Sequence, residues 1–500
     1  MIAESESGRF KIWAVNFVAV AALALAACSS PPTDRINMMP VPEVFEEGTI
    51  DPFVTAPRFD PPNRAEVLYA TDREPSVDER GRLRYLNERG NVLRLGVAQV
   101  EPADPNLTWE DARRISLLRS LGGGFPIRFT GATEFGVLDR TATELFPPEA
   151  LQQTSAPANQ VFAEKINAWL AKSKRKHVYI YVHGYRVIFE NPTLVATELW
   201  HFLGYQGVFV AFAWPSTPSR FAYLRDLDTA VGYARHLRVL LEYLAEETDA
   251  EQIHLVGYSM GARIVLRALK QLALMHHGLA TEEIRQKLRI GHVVLAASDM
   301  DREVAAMFLA DGLLEVPAHL TVYLSSRDRA LGVVRFLTRR KRLGQLWAEG
   351  APSPEVAAYL HQREADISVV YVTDAEGSTE GHGHAYFRDS PWVSSDILMA
   401  LAYGLLPADR GLQRSADGSP HWALPGGLRR PLAQRADRGQ SRLSQGARAG
   451  QREFLMMRAI LGVARLSGKS SNRVFESLAG WDAALDALTP GTKRTLIAPT

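Results

Sequence analysis

The chain has 500 residues, with 57 Lys and Arg against 56 Asp and Glu and a formal net charge of +1, a balance that excludes a general electrostatic pull toward nucleic acid. Hydrophobic residues make up 46%, an ordinary fraction for a globular core, and the length allows either several domains or one large α/β unit with appendages. Cys28 is the only cysteine, which excludes intrachain disulfides and any Cys-based zinc site.

At the amino terminus Arg9 and Lys11 precede an apolar run from Ile12 to Ala27. It is too short and too rich in small residues for a comfortable membrane span, and predicts a secretory signal. The run ends in Leu25-Ala26-Ala27-Cys28-Ser29, which resembles a bacterial lipoprotein signal. That resemblance implies cleavage before Cys28, diacylation of its thiol and acylation of the new amino terminus. Two or three acyl chains anchor a protein without a spanning helix. Ser29 in place of an acidic residue implies sorting to the outer membrane of a Gram-negative cell, facing the periplasm.

Residues 28–63 are rich in proline (Pro31, Pro32, Pro40, Pro42, Pro52, Pro57, Pro61, Pro62) and predict a tether. Strand patterns follow at 65–70 and 93–100, and 101–150 is turn-rich. Gly122-Gly123-Gly124 is followed by no helix pattern, so it predicts a turn and not a phosphate loop. From Val161 strands and helices alternate. Helices are predicted near 162–170, 192–203 and 226–244, with strands at 178–182 and 208–213. Further strands are predicted before residue 257 and at 292–297, 320–324 and 367–372, with a last helix over 394–405. Continuous apolar strands separated by helices predict a doubly wound, mostly parallel sheet with helices on both faces.

Beyond Pro407 the pattern stops. Residues 425–453 carry seven arginines against Asp437 and Glu453 and predict a disordered linker. The segment from 454 has helical patterning and predicts a small appendix. Within it Gly462 to Ser470 nearly imitates a P-loop, but its glycine spacing is one residue too long and no strand precedes it. The boundaries are therefore 1–27 signal, 28–63 tether, 64–405 α/β domain, 406–453 linker and 454–500 tail.

The chemistry concentrates in His254-Leu-Val-Gly257-Tyr-Ser259-Met-Gly261-Ala-Arg, where an apolar strand pattern ends in G-x-S-x-G and an amphipathic helix follows at once. This predicts a nucleophile elbow, a tight strand-to-helix turn that exposes Ser259 and frees the next amide. A serine hydroxyl needs a base, and the base needs an orienting acid. Asp328, just past the strand at 320–324, is favoured as the acid; Asp299, one strand earlier, is the alternative, and either Asp299 or Asp301 could instead cap the helix near Arg302. His384 is the candidate base because Tyr386 and Phe387 can fix its loop, with His382 as the weaker choice. The backbone N–H groups of Met260 and Tyr185 are candidate oxyanion donors, and His183 is read as structural. Trp214, Phe221 and Tyr223 are candidates for an acyl pocket.

These residues recur in a set: VHGY at 182–185, FAWPS at 212–216, Tyr223 with Asp226, GYSMG at 257–261, ASDMDR at 297–302, Asp328 and GHAYF at 383–387. The set resembles a poorly characterised bacterial α/β-hydrolase family, whose members are described only as esterase/lipase superfamily enzymes. YATDR at 69–73 and LGVAQV at 95–100 extend the likeness to about residues 64–405. Tyr258 stands where that family often has His, and Ser298 where it often has Pro. The resemblance implies the α/β-hydrolase fold, Ser259, Asp328 and His384 as nucleophile, acid and base, and no metal or cofactor. The expected activity is hydrolysis of a small-molecule or lipid carboxylic ester at the cell envelope. Acyl transfer or amide cleavage by the same triad, and a catalytically silent scaffold lipoprotein, are the alternatives.

Overall fold

The computed structural model describes residues 33–45, 51–118, 124–145, 157–219, 221–345 and 352–424. The expected signal with Cys28, the Arg-rich stretch and the helical tail lie outside them. Among the described residues twelve strands form one sheet. They are β1 (Arg35–Asn37), β2 (Ala65–Val77), β3 (Leu83–Pro102), β4 (Pro126–Val137), β5 (His177–Val182), β6 (Val208–Ala213), β7 (Gln252–Tyr258), β8 (Ile290–Ala296), β9 (His319–Leu324), β10 (Ile367–Tyr371), β11 (Gln413–Arg414) and β12 (Trp422–Ala423). Their spatial order is β1-β4-β3-β2-β6-β5-β7-β8-β9-β10-β12-β11. From β2 to β12 every neighbouring pair is parallel; β1, β4, β3 and β11 join antiparallel at the two edges.

Alternation along the central strands explains why the sheet is covered twice. Val178, Ile180 and Val182 of β5 pack with Val208, Val210 and Phe212 of β6 on one face, under helices Ala234–Glu247 and Gly261–Met275. Tyr179 and Tyr181, with Phe209 and Ala211, point to the other face, under Glu190–Phe202 and Pro391–Tyr403. A strand buried on both faces needs apolar residues at successive positions, and that produces the unbroken runs.

Several boundaries differ from the sequence expectation. Much of the Pro-rich segment is docked. β1 pairs with β4, Met38, Met39, Val44, Phe45 and Phe53 are buried, and Phe53 packs 4.8 Å from the His201 ring. Proline removes ladder donors without preventing burial of the apolar residues between prolines. The turn-rich region holds a helix, Trp109–Leu118, and the long strand β4, which contains a Pro, two Gly and mostly half-buried side chains. The helix expected over 226–244 is two, Tyr223–Gly232 and Ala234–Glu247, joined at Tyr233. Beyond residue 405, Pro407–Arg410 is helical and β12 adds to the sheet beside β10, so the ordered fold runs into the expected linker.

At the end of the sheet remote from the strand carboxyl termini, His177, His254, His292 and His319 form a ladder across β5, β7, β8 and β9. The His177–His254 nitrogens are 3.1 Å apart, and the His254–His292 and His292–His319 ring centroids 6.3 and 5.4 Å. Burial, reinforced by neighbouring cations or histidines, lowers His177 to about 4, His292 to about 3, His319 to about 4, and His254 well below its ordinary value. All four are neutral at pH 7. A histidine depressed in the fold takes up its proton first when unfolded, so stability is full above about 6.5 and falls as pH drops toward 3–4. Asp389, raised by burial to about 6, works the other way, as do Asp72, Glu190 and Asp226, also raised by burial, and His384, raised by Asp328; His183 and His201, each lowered by burial to about 3, act with the ladder. The change in melting temperature from pH 7 to pH 5 should therefore be less negative in His292→Asn than in wild type; equal slopes would contradict the ladder's role.

Candidate active site

The strand carboxyl ends converge on Ser259. It follows β7 directly and precedes helix Gly261–Met275 by one residue, with a left-handed φ of 52°. A non-glycine residue there is strained and persists only when its surroundings fix it. The fixing contacts are local: Ser259 N donates to Ala296 O at 2.9 Å, and Asp299 N to Ser259 O at 3.4 Å. Gly261 lets the helix sit against β5, since a Cβ there would lie 2.3 Å from Val182 O and 2.4 Å from His183 O. Gly184 does the same for the loop after β5, where a Cβ would come within 3.0 Å of the Ser259 Cβ.

His384 bridges the serine and an acid. Its Nδ1 lies 2.7 Å from Asp328 Oδ2 and its Nε2 2.9 Å from Ser259 Oγ. An ionised carboxylate only accepts, so Nδ1 carries the proton and the Nε2 lone pair faces the hydroxyl. Asp328 is 1% exposed, and its second oxygen accepts from Leu331 N at 3.0 Å, capping helix Arg329–Thr338. Its carbonyl accepts from Gln345 Nε2 at 2.6 Å. The acid is thus held from three sides. Burial disfavours a charge on His384, yet the Asp328 carboxylate more than offsets it, and the net shift is upward.

The expected aromatic support is present. Tyr386 donates to Tyr323 O at 2.9 Å and accepts from Ala297 N at 2.6 Å, while Phe387 packs on Tyr258, whose ring lies 5.2 Å from His384. His382 enters through its carbonyl, which accepts from Arg329 N at 3.0 Å, and its ring makes no bond to the serine.

Asp299 has other partners. Its carboxylate pairs with Arg263 and accepts from Tyr223 OH at 2.9 Å, and its carbonyl accepts from Arg263 and Arg342 at 2.7 and 3.1 Å. Asp301, two residues on, caps helix Arg302–Ala310. Arg263 went unread in the sequence, although a lone arginine two residues past the second glycine, before an apolar helix face, signals a buried ion pair.

Met260 is buried at the start of the helix, where backbone N–H groups have no intrahelical acceptor. Tyr185 lies on the facing loop. Its hydroxyl donates to Ser219 O at 2.7 Å and its ring meets Tyr223 edge-on at 5.6 Å. His183 is structural: its ring stacks on Trp214 at 5.2 Å, with Nδ1 2.7 Å from Gly184 O and Nε2 3.1 Å from Trp214 O. Burial beside Arg73 lowers it to about 3, which keeps it neutral. Arg73, fully buried, donates to Val187 O at 2.8 Å and so secures the far side of the same loop.

An open cleft of about 650 Å³ reaches the serine. Tyr185, Arg186, Tyr223 and Tyr258 line it with Ala330, Leu331 and Val334. Of the three aromatics expected in a pocket, Tyr223 lines the cleft, Trp214 is buried beneath His183, and Phe221 is 74% exposed.

Residues 158–401 match the family model described as "Alpha/beta hydrolase of unknown function (DUF900)". The domain has the α/β-hydrolase fold. The matched segment contains Ser259, Asp328 and His384 and leaves out β1 to β4, β11 and β12. Among solved structures, the "putative cell surface hydrolase" of Lactobacillus plantarum is 12% identical, with 53% of this chain and 98% of that chain covered and a TM-score of 0.27. No curated protein matches the chain.

Gly261→Ala should test the elbow's packing. The added methyl meets backbone carbonyls that cannot move aside, so a loss of about 1–3 kcal/mol is expected in a denaturant melt. Stability equal to wild type would show that the helix can back away from β5.

Proposed function

We propose that the protein is a serine hydrolase that cleaves carboxylic esters, carried as a lipoprotein of the cell envelope through acylated Cys28. The observation that supports it most is the pair of short contacts at His384, 2.7 Å to Asp328 and 2.9 Å to Ser259. In this reading Nε2 takes the Ser259 proton as Oγ attacks the ester carbonyl, and Asp328 stabilises the imidazolium that results. The amides of Met260 and Tyr185 hold the developing oxyanion. His384 then gives its proton to the leaving alcohol, and water, deprotonated by the same ring, releases the acid from Ser259.

Hydrolysis of a short-chain aryl ester by the folded protein tests the proposal, and Ser259→Ala should abolish it. Wild-type protein that leaves such esters intact would defeat the hydrolase reading in favour of a scaffold. Asp328→Asn should lower turnover by about 10³–10⁴-fold with little effect on folding. Asp299→Asn should chiefly destabilise, by about 3–5 kcal/mol, because it strands the Arg263 charge. Equal turnover losses in the two variants would refute the assignment of the acid.

The base works only when unprotonated, so activity rises with pH through the His384 pKa, which Asp328 raises. The acid limb of kcat/KM should have its midpoint above about 6.5, the ordinary histidine value, and move down in Asp328→Asn. A wild-type midpoint below that value would contradict the pairing.

A further inference from the structure

Helix Arg329–Thr338 covers one side of the cleft, and it carries apolar side chains on its outer side as well. Ala330, Leu331 and Val334 line the cleft. Arg329, Val333 and Phe336, spaced by four and three, share the opposite side, with Arg329 exposed and Phe336 61% exposed. A surface helix ordinarily turns polar residues outward. The segment holding Tyr223 repeats the feature, because Phe221 and Leu224 beside it are 74% and 70% exposed.

This rim is also locally cationic. Arg327, Arg329, Arg335, Arg339, Arg340 and Lys341 fall within 327–341, where the buried Asp328 is the only acid, although the whole chain is nearly neutral. Arg327 and Arg340 do make ion pairs, with Asp374 at 3.3 Å and Glu303 at 3.0 Å, but both pairs are solvent-exposed. Exposed pairs are weak and exchange readily for phosphate.

The docked amino-terminal segment adds a length constraint. Asp34 already bonds to the sheet, its carbonyl accepting from Phe129 N at 2.9 Å. Cys28 lies only six residues earlier, a reach of about 20 Å at full extension. A lipid on Cys28 would hold the β1 edge of the sheet close to the bilayer; the rim follows β9, eight strands away, so the reach limits how far the domain stands off and the rim's own chemistry selects the face that meets the lipid.

We infer that the rim of the cleft, formed by Phe221, Leu224, Phe336 and the arginines around helix Arg329–Thr338, docks on an anionic lipid surface. The apolar side chains enter the boundary between headgroups and acyl chains, and the guanidinium groups meet lipid phosphates. The cleft then opens against the bilayer and takes its acyl substrate from there, which makes the ester a membrane lipid. That consequence rests on the hydrolase reading; the docking does not.

The test uses the chain from residue 28 onward carrying Cys28→Ser, so that no acyl chain contributes, in flotation with vesicles of phosphatidylcholine alone or with phosphatidylglycerol. Wild-type sequence and Ser259→Ala should both float with the anionic vesicles and stay behind with the neutral ones. Leu224→Ser/Phe336→Ser and Arg339→Glu/Arg340→Glu should each weaken binding at least about ten-fold, with unchanged melting temperature and unchanged hydrolysis of a water-soluble ester. Folded protein that ignores anionic vesicles, or rim variants that bind as well as wild type, would overturn the inference. So would rim variants that only convert a dimer to a monomer, since a second copy would then be the occupant. Ester hydrolysis lost throughout while flotation persists would sink the hydrolase reading and leave the docking intact.

Discussion

The left-handed backbone at Ser259 is the constraint on which the site depends. A serine in that conformation does not stay there by its own preference; it is held between a buried strand and a buried helix whose ends are pressed together. The pressing is done by absent side chains. Gly261 lets the helix meet the β5 carbonyls, and Gly184 lets the next loop close over the serine. The hydroxyl is thereby aimed at one point in space, and His384 reaches that point only because Asp328 is itself fixed as a helix cap. One carboxylate thus ties the local geometry of a helix start to the orientation of a histidine 56 residues later.

The two aspartates show how packing assigns roles that chemistry alone leaves open. Both follow neighbouring interior strands, β8 and β9, at the carboxyl end of the sheet, and both are nearly fully buried. Arg263 and Tyr223 occupy the Asp299 carboxylate, whereas one oxygen of Asp328 is left for the histidine. An acid already saturated by a buried guanidinium has little left to offer an imidazole.

The elbow was legible because its signal is local: a strand, two glycines around a serine, and a helix, all within a few residues. His384 was legible from chain order and its aromatic neighbours. The choice between Asp328 and Asp299 was only a preference, because it turns on Arg263, whose partner is distant in sequence. β4 escaped notice because its residues 126–137 are mostly half-buried and so lack a clean alternation. The Pro-rich segment misled in the opposite way. Proline argues against regular structure and says nothing about whether Phe53 or Met38 will find a pocket. That docking takes residues 33–45 and 51–63 out of the expected tether.

The direct test of the central claim, that this geometry makes Ser259 a nucleophile, is to treat the folded protein with a fluorophosphonate and map the adduct by mass spectrometry. The account predicts one covalent adduct per chain, on the Ser259 hydroxyl, lost when His384 is replaced by Ala. No adduct on the folded protein, or an adduct at another residue, would contradict it.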